Sequence, residues 1–275
     1  MRQLTFKGHP VRTFVFLLIA FAAGTANAQG LFSMETSESG RAWAAVGRLE
    51  IDGRVFCTGA LIEEHLVLTA AHCLFDEAGH PVAEDEIRFL AGWRNGRAAA
   101  YRRVKRALAH PDFDPGNADT AIRVRNDLAL VELQHPIRTG MIKPLALDVE
   151  PAEGERVGVV SYAHDRADAP SLQDACEVLA RQQGMLILSC PVDFGASGSP
   201  VFHYAEDGTP RIVSVISAMA RAGERAVSLG TSLAAPLPAL RAALEARTGS
   251  GAGPDPMRAG MRRDTGAKFV TSARP

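Results

Sequence analysis

Neither sign of charge dominates this chain: 30 basic residues stand against 31 acidic ones over 275 positions, for a formal net charge of −1. Lysine is rare, four against 26 arginines, and no basic block occurs. There is thus no electrostatic reason to expect a nucleic-acid partner or an anionic membrane surface. No apolar run reaches the roughly 20 residues that a membrane-spanning helix needs. The four cysteines form no C-x-x-C pair and the eight histidines no H-x-x-x-H pair, which removes the common zinc patterns. With 47% hydrophobic, 22% charged and 6% aromatic residues, the composition excludes a disordered, collagenous or coiled-coil chain. What is left is a globular protein with enough length for a sizeable core.

The two ends differ from the middle. Residues 1–28 carry Arg2, Lys7 and Arg12 without an acid, then ten apolar residues from Phe14 to Ala23, then Ala26-Asn27-Ala28. This is the layout of a secretory signal peptide cut before Gln29. Export to the periplasm or the medium follows, and removal of three positive charges takes the chain to −4. The arginine excess and abundant alanine hint at a GC-rich bacterial genome. Residues 249–275, with five basic and two acidic residues and little apolar periodicity, read as a disordered tail. Too few residues follow Thr248 for another domain.

Between the ends, apolar residues come in short runs: Val55-Phe56, Leu66-Val67-Leu68, Leu128-Ala129-Leu130-Val131, Val157-Gly158-Val159-Val160, Met185-Leu186-Ile187-Leu188 and Ile212-Val213-Ser214-Val215-Ile216. Runs of this length between Gly, Pro and Asp clusters predict strands, and about ten of them predict an all-β barrel or sandwich. Only the end reads as helix, with Leu237, Leu240, Ala243 and Leu244 at helical spacing and Gly249 as a stop. The polar, turn-rich stretch 148–154 divides the strand-bearing region in two.

Three fragments carry chemistry. In Gly195-Ala196-Ser197-Gly198-Ser199-Pro200 a serine stands between glycines that permit a tight turn, so the Gly195 and Ser197 amides can point at one developing oxyanion. A serine hydroxyl needs a base, and His72 in Leu68-Thr69-Ala70-Ala71-His72-Cys73 has a side chain that titrates near neutrality. Asp127 in Asn126-Asp127-Leu128-Ala129-Leu130 precedes an apolar strand, where a buried carboxylate wants a partner such as an imidazole N–H. The other histidines of the domain, His65, His80, His110, His135, His164 and His203, read as packing or surface residues. Asp112, Asp114 and Asp119 are rival orienters in a turn-rich loop. That loop reads as solvated and not as a calcium site, because Arg123 falls where the bidentate acid of an EF-hand belongs. Cys176 and Cys190 flank two strand-like runs around Gln183-Gly184, a hairpin that a disulfide could staple.

Taken in order, the three fragments resemble the trypsin/chymotrypsin-like serine proteases over roughly residues 43–236, and Gly-x-Ser-Gly-Ser-Pro resembles the secreted bacterial branch related to glutamyl endopeptidases. The resemblance implies two antiparallel six-stranded β-barrels with a C-terminal helix, the first over about 41–147, the second over about 148–236 and the helix over about 237–248. It implies a secreted, monomeric serine endopeptidase acting on proteins or peptides without cofactor or metal. His72, Asp127 and Ser197 would form the triad, Gly195 and Ser197 the oxyanion hole, and Cys57–Cys73 the bridge that pins the histidine loop. The alternative is an inactive protease-fold binding protein.

Departures from the family bear on activation and specificity. Ala196 stands where digestive trypsins have the Asp that pairs with a new Ile-Val terminus, so no ion-pair zymogen switch is expected, although residues 29–40 remain open to trimming. Pro191, six before the nucleophile, argues against an Arg/Lys pocket; Asp193 is the one acid in that loop that could restore it. The strand Ser214-Val215-Ile216 matches the one that pairs with substrate backbone, and Ile216 in place of a pocket-wall glycine should narrow the pocket to small or medium apolar residues. Glu selectivity would want a histidine on that strand, and none stands between Arg211 and Ala220.

Overall fold

A computed structural model describes residues 31–249 except Ser37, Arg54, Thr139 and Met141. The leader read over 1–28 and all of the tail beyond Gly249 lie outside the described residues. Two barrels account for most of the rest. The first is β2 (Val46–Ile51), β3 (Val55–Glu63), β4 (Leu66–Thr69), β5 (Ile87–Ala91), β6 (Ala100–Ala109) and β7 (Ala129–Leu133), closed in the order β2-β3-β4-β7-β6-β5. The second runs β8 (Arg156–Ser161), β9 (Ser171–Gln182), β10 (Met185–Leu188), β11 (Pro200–Tyr204), β12 (Pro210–Ala222) and β13 (Arg225–Ser232). Its order is β8-β9-β10-β13-β12-β11, and β11 pairs with β8 to close it. Every pairing within the barrels is antiparallel. Each predicted apolar run lies in a strand, apart from Leu128, which immediately precedes β7.

The runs become strands because both faces or one face can be buried. Leu66 to Leu68 and Ala129 to Leu133 are buried throughout, as expected for strands between a barrel interior and a neighbouring layer. Each fully buried Leu or Phe contributes about 2 kcal/mol. A separate cluster of Val157, Val159, Val178, Leu186, Leu188 and Ile216 fills the second barrel around Cys176 and Cys190. Those cysteines are bonded to each other, tying β9 to the segment just after β10. The turn joining these strands is Gln183-Gly184, with φ of +52° and +80°, the left-handed pair that a two-residue hairpin requires and that glycine adopts without strain.

Helix α2 (Pro236–Gly249) buries Leu237 and Leu240 and packs Ala243 and Leu244 against the core, as the spacing predicts. The expectation that only the end is helical is too narrow. A short helix α1 (Thr120–Arg125) precedes Asp127, and Asp119 caps it by accepting hydrogen bonds from the amides of Ala121 at 2.9 Å and Ile122 at 3.2 Å. Such a cap is worth about 1 kcal/mol. Six residues are too few to display a helical period. Among the described residues no helix is long and apolar enough to cross a membrane.

The segment left open to trimming is woven into the fold. Strand β1 (Leu31–Ser33) extends the sheet along β9, pairing Leu31 with Gln173 and Ser33 with Ser171. Met34 is buried, its amide donates to Pro170 O at 2.9 Å, and its carbonyl accepts from Arg94 Nε at 2.7 Å. A second-barrel strand and a first-barrel loop are thereby tied to one strap. Deleting residues 31–36 is expected to cost about 2–3 kcal/mol and to lower Tm by about 4–10 °C. A melt unchanged by the deletion would show the strap to be dispensable.

Candidate active site

The buried strand β4 runs into a single 3₁₀ turn (Ala71–Leu74) that carries His72. The turn is anchored on both sides of the histidine, by fully buried Ala70 and Ala71 before it and by the Cys57–Cys73 disulfide to β3 after it. His72 meets Asp127 at two points: its amide donates to Oδ1 at 2.8 Å, and its Nδ1 lies 2.7 Å from Oδ2. Two-point attachment fixes both the backbone and the ring. Asp127 is 2% exposed, so its carboxylate depends on these donors, and Ser217 Oγ on β12 supplies a third at 2.5 Å to Oδ2. Thr231 of β13 donates to the carbonyls of Val124 at 2.7 Å and Asp127 at 3.2 Å, bolting the second barrel onto the end of α1.

Burial pulls the His72 pKa down, as does Arg123, but the attraction and hydrogen bond of Asp127 outweigh them and the net shift is upward from 6.5. An imidazolium is therefore favoured here more than in water. The same shift stabilises the fold below the unfolded value of 6.5, and that contribution is lost as pH rises through the folded value.

Ser197 sits in the loop between β10 and β11. Gly195 and Gly198 take φ of +92° and +78°. A Cβ on Gly198 would fall 2.2 Å from Thr58 O and Thr69 Oγ1, so only glycine lets the loop approach the first barrel this closely. Thr58 is the clamp: its amide donates to Ser197 O at 2.8 Å and its hydroxyl to Gly195 O at 2.9 Å. Gly198 N donates to Ile216 O at 2.8 Å. With those carbonyls drawn back, the Gly195 and Ser197 amides donate to no acceptor among the described residues. Ala196 is buried and its amide donates to Asp193 O at 3.0 Å, so backbone bonds hold the loop where no carboxylate is present. The Ser197 hydroxyl makes no hydrogen bond among the described residues; catalytic bonds are often longer in unliganded sites. His72, Ser197 and Gly195 line one cleft of about 1060 Å³.

Other sequence candidates fall elsewhere. Asp119 caps α1 and Asp114 accepts from Gly116 N at 2.9 Å. Neither these acids nor Asp112 contacts His72. His110 is buried, its Nδ1 accepts from Asp112 N at 3.2 Å, and burial pushes its pKa down against a smaller opposing pull from Asp112. His164, read as packing or surface, lines the cleft with its ring 5.7 Å from that of Phe56. The sulfurs of Cys57 and Cys73 lie close to His72, but they are joined to each other and are not free thiolate ligands.

The pocket strand needs correction. Ser214, Val215 and Ile216 are all essentially inaccessible; Ser214 donates to Thr231 O at 2.8 Å, and Ile216 belongs to the second-barrel core. Ile216 therefore cannot be a wall of an open pocket. The residue on this strand that touches the His72–Asp127 pair is Ser217, three positions after the serine from which the match was counted. Met219, two residues further along the strand, is 47% exposed and lies opposite Ser228 of β13. Ser228 is fully buried and its hydroxyl has no partner among the described residues. Pro191 and Asp193 are exposed, and Asp193 Oδ1 accepts from Phe194 N at 2.7 Å. Sequence reasoning missed both clamps, Thr58 and Ser217, since a hydroxyl residue within a strand carries no distinguishing signal.

A family model described as Trypsin matches residues 34–187. Human serine protease 56 is 37% identical over 116 residues, which cover 41% of this chain and 17% of that protein. The mouse protein is 35% identical over 156 residues, 54% of this chain and 24% of its own length. The chain thus spans less than a quarter of these curated relatives. Mouse cathepsin G is 35% identical over 97 residues, 35% of this chain and 33% of that one. Among solved structures, one titled "Structure of Glu endopeptidase in complex with MPD" superposes with a TM-score of 0.62 over 78% of this chain and 96% of the other, at 17% identity. That similarity is one of fold.

Proposed function

The chain belongs to the trypsin family, and from that premise we propose that it is a secreted serine endopeptidase working through His72, Asp127 and Ser197. The observation that carries the reading is the doubly bonded His72–Asp127 pair on the cleft that also holds Ser197 and Gly195. Ser197 Oγ attacks the scissile carbonyl while His72 Nε2 takes its proton, and the resulting oxyanion accepts from the Gly195 and Ser197 amides. His72 then gives the proton to the leaving amine, which departs and leaves an acyl-enzyme. Water hydrolyses that ester with His72 again as base. Asp127 holds the ring with Nε2 toward the cleft and stabilises the imidazolium. No step needs a cofactor. The binding-protein alternative has no feature of the site in its favour.

Secretion is supported by the leader-like residues 1–28 and by two disulfides, which persist in oxidising compartments. The bacterial glutamyl-endopeptidase branch is supported by the Gly-Ala-Ser-Gly-Ser-Pro stretch and, for fold alone, by the Glu endopeptidase structure. For the residue before the scissile bond we keep a preference for small or medium apolar side chains, now resting on Met219 and Ser228 in place of Ile216, with Pro191 in the adjoining loop. Cleavage mapping by mass spectrometry on a diverse peptide mixture tests this. Cuts after Ala or Val are expected, and cuts after Arg or Lys would overturn the pocket assignment. Because the base must be neutral, kcat/KM on any substrate is expected to climb with pH along a single titration whose midpoint lies above 6.5. A midpoint below 6.5 would contradict the dominance of Asp127 at His72.

A further inference from the structure

The cleft that holds His72 and Ser197 continues over the first barrel, where its floor is apolar and its rim acidic. Phe56, Phe75, Val82 and the Cys57–Cys73 disulfide form the floor. Two pairs of exposed acids line the edge: Asp52 with Glu86, connected by the Asp52 N to Glu86 O bond at 3.0 Å, and Asp76 with Glu77 just after the histidine turn. Arg48 lies over the Phe56 ring at 4.2 Å and pairs with Glu50 at 3.4 Å; no other lysine or arginine among the described residues borders this cleft. Arg88, two residues after Glu86, is engaged with Glu50 at 2.9 Å. His80, 3.5 Å from Asp76, is the basic-type group beside it, and the His80 and Ala78 amides hold the Asp76 carboxyl below its usual range.

An apolar trough whose edge carries Glu77 and Glu86 and which opens to the reacting groups suits a peptide segment whose side chains combine an aliphatic stem with a cationic tip, the stem packing on the floor and the tip reaching the rim. We propose that the first-barrel half of the cleft selects substrates bearing lysine or arginine within a few residues of the scissile bond, on one side of it, while the second barrel receives the uncharged residue at the bond itself. This rests on the endopeptidase reading above. Exposed charges are screened by salt, and each contributes modestly, so the selection is a graded preference and falls as ionic strength rises.

The test uses the full chain at pH 8 and a peptide series with a common cleavable core. Lys, Gln or Glu is placed in turn at three positions on either side of the cut. Lys is expected to exceed Gln in kcat/KM by about fivefold at one or two neighbouring positions on one side only, with Glu disfavoured to a similar degree. The Lys:Gln ratio should shrink toward one in 1 M salt, where the Debye length is about 3 Å. The double variant Glu77→Gln/Glu86→Gln should flatten that ratio. Glu206→Gln, in the exposed turn after β11, should keep it. A flat or Glu-favouring profile, or a ratio that survives in the double variant, overturns the inference. Failure to cut any peptide removes the endopeptidase reading itself, and this inference with it.

Discussion

Replacing Ser197 by alanine is expected to lower kcat by about a millionfold while leaving the thermal melt where it was. The two halves of that expectation come from different observations. Catalysis collapses because the residue supplies the attacking oxygen, and the nucleophile and base act as a unit, so removing one forfeits nearly all that the pair contributes. Stability is spared because the hydroxyl makes no hydrogen bond among the described residues and stands partly exposed on the cleft. What holds the loop is its backbone, through the Ser197 carbonyl accepting from Thr58 N and the Gly198 amide donating to Ile216 O, and alanine keeps both. Comparing peptide hydrolysis and circular-dichroism melts of the two proteins checks it. Cleavage retained by Ser197→Ala would move the chemistry to another residue.

Changing Asp127 to asparagine is expected to cost about 10⁴ in kcat. The carboxylate accepts from three donors, the His72 amide, the His72 ring and the Ser217 hydroxyl. An amide offers one acceptor oxygen. If that oxygen keeps the His72 backbone bond, the NH₂ faces the ring and forces the tautomer whose Nδ1 accepts, which leaves Nε2 protonated and unable to take the Ser197 proton. The charge that raises the His72 pKa is also gone. Since the variant leaves a buried site short of acceptors, Ser217→Ala is the companion measurement. It keeps the charge and both His72 bonds, and its loss is expected to be only roughly tenfold, the scale of one hydrogen bond to a charged group. Activity within tenfold of the parent protein in Asp127→Asn would sink the orienting role.

Much of the architecture was legible because strands buried in barrels must be short and apolar, and runs such as Leu66-Val67-Leu68 and Met185-Leu186-Ile187-Leu188 are both. The candidate site residues were singled out by resemblance, since Thr-Ala-Ala-His-Cys, Asn-Asp-Leu and a glycine-flanked serine follow one another in the order of a known family, and neither composition nor period marks them. Registration along β12 was not legible. Ser214 and Ser217 are both serines in an apolar strand, and the choice between them depends on an irregularity between Ile216 and Ala218, where the pairing with β13 shifts. A bulge of that kind leaves no mark in composition or period. Strand β1 was missed for the opposite reason, since all three of its residues are exposed and it is held by backbone pairing, which any sequence can make.

Thr58 reaches from the first barrel to the serine loop of the second, and Ser217 and Thr231 reach back from the second to Asp127 on the first. Neither half of the polypeptide holds the candidate site by itself. In chain order His72 and Asp127 come long before the hydroxyls of residues 217 and 231 that brace them.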